Sequence, residues 1–121
     1  MAEEIKSFKD LRVWKQAYVL VLSVYEATKE FPKDELYGMT SQMRRSSISV
    51  VSNIAEGYAR RGSVEYARFL TIAYGSLSEL ETQILLSKDL KFVNEECFDK
   101  LMKLKDETGG MLYKLIQKLA V

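Results

Sequence analysis

The sequence predicts an all-α protein, an antiparallel up-down four-helix bundle. Three observations carry that reading. Apolar residues recur at helical spacing in four segments. The breaks between segments are short, which makes successive helices antiparallel neighbours. One proline and six glycines leave little punctuation for a β fold. A chain of 121 residues, 47% hydrophobic, fits one domain over residues 1–121, with residues 1–6 expected to fray.

The first helix is expected from Ser7 to Glu30, with its core stripe at Leu11, Trp14, Tyr18, Val21, Leu22 and Tyr25. Ser7 and Asp10 resemble a capping box. Pro32 stops the helix because it cannot donate to the ladder and disfavours helical geometry at Phe31. PKDELYG then reads as a loop or ragged turn. The second helix is expected from Thr40, as N-cap, to Arg60, with Met43, Ser47, Val50, Ile54 and Tyr58 facing the core. ARRGS breaks it, and Gly62 suits a left-handed conformation. Ser63 is expected to cap a third helix to Leu90, with Phe69, Leu70, Ala73, Leu77, Leu80, Ile84 and Leu85 inward and Glu65 favourable to the helix dipole. Asn94 caps the last helix, Glu95 to Leu119, whose core face is Phe98, Leu101, Leu104, Met111, Leu115 and Leu119. Gly109-Gly110 lies inside that pattern. Each glycine costs about 1 kcal/mol against alanine there, which predicts a soft spot or a close contact.

The totals exclude several functions. Histidine is absent, which removes the usual general base, the commonest transition-metal ligand and the histidine-activated nucleophiles. Cys97 is alone, so neither a disulfide framework nor a thiolate metal cluster is expected, only a free buried or half-buried thiol. Net charge is +1, so no global field draws the chain to nucleic acid or membrane. No apolar run is long enough to span a bilayer and MAEEIKSF has no signal core, so a cytoplasmic location is expected. SSISVVS lacks the glycine context of a nucleophile elbow, and there is no P-loop or dinucleotide fingerprint. An enzymatic reading would have to rest on Asn53, Glu56, Glu79 and Glu81, and the Glu-x-x-His pairs of di-metal bundles are missing. Neither metal nor cofactor is expected. Trp14, Tyr18, Met39 and Met43 read as packing residues.

The stretch QMRRSSISVVSNIAEGYARR, residues 42–61, is the most distinctive. On a helical wheel its polar side collects Gln42, Arg45, Ser49, Ser52, Asn53, Glu56 and Arg60. In a hairpin about Gly62, residues whose numbers sum to about 124 lie side by side. That places Arg45 level with Glu79, Glu56 with Arg68, Ser49 with Gly75, and Ser46 with Ser78. The expectation is two charge pairs fixing register around a close-packed waist of small residues. Apolar residues also exceed what one small bundle can bury. Tyr66 and Tyr74 flank the main stripe of the third helix, and Val13, Val19, Leu20 and Val24 lie off that of the first. Such surplus marks a partner surface, and self-association is the simplest partner.

FKDLRVWKQA, FPKDELYGMTSQMRRSSISVVSNIAEGYAR and EYARFLTIAYGSLSELETQ together resemble the four-helix-bundle family of 23S rRNA intervening-sequence proteins, from Phe8 to about Leu119. The most specific parts are the Phe-Pro-x-x-Glu-x-Tyr-Gly segment at Phe31–Gly38, Gln42–Arg45, Asn53–Gly57 and Gly75–Glu81. The resemblance implies an up-down bundle assembling as a ring-like homopentamer. A related group, accessory proteins of diversity-generating retroelements, forms similar pentamers and binds nucleic acid. That group is distinctly basic, and this chain is not.

Two functional readings follow. In one, a non-enzymatic oligomeric assembly protein associates with RNA or DNA through phosphate contacts. Residues 44–68 hold five arginines against two acids, and Arg44, Arg60 and Arg61 are the expected contacts. In the alternative, the protein is a protein–protein interaction scaffold with no nucleic-acid role.

Overall fold

The structure, a computed structural model, describes residues 4–120. Those residues form four α-helices and no strand: α1 (Arg12–Thr28), α2 (Ser41–Tyr58), α3 (Ser63–Asp89) and α4 (Glu95–Leu119). α1 packs on α2 and α4, and α3 packs on the same two helices, so α1 and α3 hold non-adjacent corners.

The Ser7–Asp10 box forms, but it closes a 3-10 turn at Phe8–Asp10 instead of opening the first helix. The Asp10 carboxylate accepts from the N–H groups of Lys6 (2.9 Å) and Ser7 (3.2 Å), and these bonds hold its pKa below the usual carboxylate value. Lys6 is thereby tied to the turn; the rest of the expected frayed segment is exposed at Glu4 and Ile5, and residues 1–3 lie outside the described residues. Leu11 is extended, so α1 begins only at Arg12.

Pro32 ends the first helical stretch as its chemistry requires, and of the two readings of PKDELYG the ragged turn is the one realised. A 3-10 turn at Lys33–Glu35 and a π turn at Leu36–Thr40 lead directly into α2, with the kink carried by Gly38 at φ −114°, ψ −114°. Thr40 therefore lies inside the winding and makes no capping bond. Glu35 caps instead, accepting from the Met39 N–H at 3.0 Å. Between α2 and α3, Gly62 has φ 87° and ψ 146°, an extended conformation of positive φ that glycine alone takes readily. Gly62 occupies the cap position itself, and Ser63 makes no capping bond.

α3 ends in a Schellman turn. The Phe92 N–H donates to the Ser87 carbonyl at 2.8 Å and the Lys91 N–H to that of Lys88 at 3.0 Å. Asn94 caps α4 as expected, accepting from the Cys97 N–H at 2.8 Å. α4 is unbroken at Gly109-Gly110. A Cβ at Gly109 would stand 3.2 Å from Leu77, so of the two expectations the close contact is the one realised.

The main correction concerns α1. Its buried line is Val13, Ala17, Leu20, Val24 and Thr28. The stripe expected in the core lies one residue further on, at Trp14, Tyr18, Val21 and Tyr25, about 100° round the helix. Tyr18 is 48% exposed and Leu22 57%. α4 keeps its expected face more closely, with Leu101 buried and Phe98, Leu104, Met111, Leu115 and Leu119 packed against the core. Its buried line is Leu101, Lys105, Thr108 and Leu112, and Leu104, Met111 and Leu115 flank it. On α3, Leu70, Ala73, Leu77, Leu80 and Ile84 are buried as expected, Phe69 is half-buried and Leu85 is exposed.

Candidate functional site

The α2–α3 seam is where the distinctive stretch packs. Ser46 donates to Gln83 Oε1 at 2.7 Å, Ser49 and Ser76 share a bond of 2.7 Å, and Ser87 meets Met43 Sδ at 3.4 Å. Residue numbers on the two helices move in opposite directions along this seam. Ser49 lands one residue from its expected neighbour Gly75. Ser46 reaches Gln83 instead of Ser78, which is exposed and donates to the Tyr74 carbonyl of its own helix at 3.2 Å. The closest approach is not at Gly75, where an added Cβ would meet nothing within 4 Å. It is at Gly57, where a Cβ would lie 2.9 Å from Phe69 Cβ and 3.2 Å from the Tyr66 carbonyl. The glycine of Asn-Ile-Ala-Glu-Gly was the available signal for that contact.

The two expected charge pairs do not bridge the helices. Arg45 donates to Gln42 at 2.6 Å, Glu56 binds Arg60 at 2.8 Å, and Arg68 binds Glu65 at 3.1 Å, each within its own helix or its immediate end. Partners three or four residues away are reached with less ordering of long side chains than partners across a seam. Arg60 and Arg68 also stand over the Phe69 ring, 4.9 and 4.7 Å from its centre. Arg61 is exposed at the turn.

Arg44 is far from that turn. It lies sixteen residues before Arg60, or about 24 Å along a helix, so the structure does not bring the three expected phosphate contacts together. Its Nε donates to Thr28 Oγ1 at 2.9 Å, and its guanidinium lies 4.5 Å over the Tyr25 ring. Thr28 is buried and itself donates to the Val24 carbonyl at 2.8 Å.

Of the residues an enzymatic reading would need, Asn53, Glu56 and Glu81 are engaged elsewhere. Asn53 donates to the Ser49 carbonyl at 2.8 Å, and Glu81 binds Lys105 at 3.1 Å. Among the described residues no three of the carboxylates and the thiol cluster at metal-ligand spacing. Cys97 is free and half-buried, and burial pushes its thiol pKa up, which keeps thiolate scarce. Lys105 was missed by the sequence reading: it sits on the buried line of α4, 8% exposed, between Glu81 and Asp106. Burial alone would lower its pKa, but the bonds and charges of Asp106 and Glu81 outweigh it and raise the value. These ion pairs therefore add stability below the ordinary lysine value of 10.5 and lose it as pH rises through the folded value.

Exposed apolar side chains occur on both α1 and α3. On α1, Trp14 stacks on Tyr18 at 5.0 Å, and Tyr18 and Leu22 continue outward. On α3, Ile72 and Leu86 are exposed along one side, and exposed Leu85 lies about 100° round the helix from Leu86. No helix among the described residues is long and apolar enough to cross a membrane.

The fold is similar to the crystal structure of a protein of unknown function from the S23 ribosomal protein family of Bacteroides thetaiotaomicron VPI-5482. The match has a TM-score of 0.80 at 18% identity and covers 87% of this chain and 95% of that one. At that identity the likeness speaks for the fold alone. No curated protein matches the chain. Residues 9–114 match the 23S rRNA-intervening sequence proteins, most of the chain, and the protein belongs to that family.

Proposed function

We propose that the protein is a non-enzymatic assembly protein of the cytoplasm, a single up-down antiparallel four-helix domain that packs against copies of itself in a ring. The observation that carries this is exposed apolar surface on helices at non-adjacent corners, Tyr18 and Leu22 on α1 and Ile72 and Leu86 on α3. Apolar surface of this kind marks an interaction site. Two different surfaces on one chain suit a head-to-tail contact, and a head-to-tail contact that closes makes a ring. The homopentamer implied by the family resemblance is the form we favour. Sedimentation velocity of the purified protein at micromolar concentration tests it. The expected species has five times the chain mass, and a single-chain mass at every concentration contradicts assembly.

A second reading adds nucleic acid. Arg60 and Arg61 are exposed at the α2–α3 turn, where a ring would repeat them around its axis. The acid bound to Arg60 weakens this reading and exposed Arg61 supports it. Phosphate contacts of this kind would bind without reading sequence and would weaken steeply with salt. Fluorescence anisotropy with a labelled 23S rRNA hairpin and a matched DNA duplex, at two salt concentrations, tests it beside Arg60→Ala/Arg61→Ala. Loss of binding in the variant supports the turn as the contact. No binding at low salt leaves the scaffold with protein partners alone.

A further inference from the structure

At the amino-terminal end of α2, Arg44 sits between two adjoining grooves of about 480 and 280 Å³. Tyr25 and Tyr37 wall the larger groove, and Lys29 and Lys33 the smaller. Three features of this place converge on one ligand chemistry.

The first is charge. Lys29, Lys33, Arg44 and Arg45 line the two grooves and no Asp or Glu does, in a chain whose net charge is only +1. Glu26 binds Lys29 at 3.3 Å and Glu35 accepts from the Met39 N–H at 3.0 Å, which leaves Lys33, Arg44 and Arg45 as the groove cations with no carboxylate bound among the described residues. The second is preorganisation. The Thr28 bond to Nε and the Tyr25 ring hold the Arg44 guanidinium in one orientation. Its two terminal amino groups remain to meet an oxyanion side-on, the geometry that suits phosphate. The third is an open aromatic ring. Tyr37 is 92% exposed in the π turn before α2, beside the cations. A flat ring next to a rigid cation is what a single-stranded nucleotide uses, base on ring and phosphate on guanidinium.

We propose that this groove binds a nucleotide unit, its phosphate on the terminal nitrogens of Arg44 and its base on Tyr37. The ligand is a free nucleotide or one unit of a single strand; the recognition chemistry is the same. The proposal rests on the nucleic-acid reading and moves its contact to the opposite end of α2. Every residue named lies on one protomer, so the site does not depend on the ring.

The test is fluorescence anisotropy of a 3′-labelled, 5′-phosphorylated ten-nucleotide single-stranded RNA with the full chain at low salt. Three variants are run in parallel: Tyr37→Ala, Arg44→Lys and Arg60→Ala/Arg61→Ala. Tyr37→Ala removes only an exposed ring, so it keeps the test valid if Arg44→Lys disturbs Thr28. Tyr37→Ala and Arg44→Lys are each expected to weaken binding about tenfold, and the turn variant less than about twofold. Displacement by a nucleoside monophosphate then identifies a free nucleotide as sufficient. Displacement only by unlabelled strand identifies the strand. Binding that survives Tyr37→Ala and Arg44→Lys but falls in the turn variant overturns this site and leaves the nucleic-acid reading standing. Absence of binding overturns both. Equal displacement by polyglutamate overturns the nucleotide assignment in favour of an acidic protein segment.

Discussion

The α2–α3 seam and the outer face of α1 reverse the ordinary relation between polarity and burial. Ser46, Ser47, Gln83 and Ser87 are buried in and around the seam, while Tyr18, Val19 and Leu22 are exposed on α1. Pairing and size account for the first. No described buried side-chain nitrogen or oxygen lacks a hydrogen-bond partner, so the usual cost of burying a polar group is largely offset. Small side chains also let the backbones close together at Gly57. The outer face of α1 has neither explanation within one protomer. Polar contacts specify how these two helices meet, and the apolar residues left over are the surface that the proposed contact between copies would cover.

That comparison can be broken at the seam. The largest effect on stability is expected from Gly57→Val, whose Cβ meets Phe69 Cβ and the Tyr66 carbonyl, neither of which can swing aside. A loss of about 3 kcal/mol is expected from overpacking. Urea unfolding measures it best in a Leu22→Asp background, where assembly adds no stability of its own. Ser46→Ala comes next. It leaves Gln83 Oε1 without its 2.7 Å donor and is expected to cost about 2 kcal/mol. Adding Gln83→Leu should recover most of that loss, since neither partner is then left unpaired. A double variant no more stable than Ser46→Ala would show that the bond is incidental to the seam. The smallest effect is expected at Gly75, where the waist was predicted and where a Cβ meets open space. Gly75→Ala should stabilise the protomer by about 0.5–1 kcal/mol in the same assay. A loss there would return the close contact to the predicted position.

Much of the fold was legible because its signals are local. Asn94, Pro32 and Gly62 act on the backbone within a few residues of themselves, and the structure finds each acting near its predicted place. Thr40 and Ser63 failed as caps for local reasons too. Winding already begins at Lys33, which puts Thr40 inside it, and Gly62 takes the cap position before Ser63. The facing of α1 was not legible. Two apolar lines run along it one residue apart, and the outer one holds Trp14, Tyr18 and Tyr25, the larger side chains. Nothing within one helix says which line turns inward; packing against α2 and α4 decides it. The Glu56–Arg68 pair failed because each finds a partner on its own side of the turn, Arg60 and Glu65, and Arg45 turns to Gln42 on its own helix instead of Glu79. The grooves beside Arg44 were out of reach as well, since they depend on the particular winding of a π turn read from sequence only as a loop or ragged turn.

The central claim is that the outer face of α1 is a contact between copies of the chain. Light scattering coupled to size exclusion, comparing the wild type with Tyr18→Asp/Leu22→Asp at equal concentration, tests it most directly. Both side chains are about half exposed in the protomer, so the variant should keep its helical circular dichroism. A multi-chain mass is expected for the wild type and a single-chain mass for the folded variant. A folded variant with the wild-type mass, or a wild type that is already a single chain, would contradict such a contact.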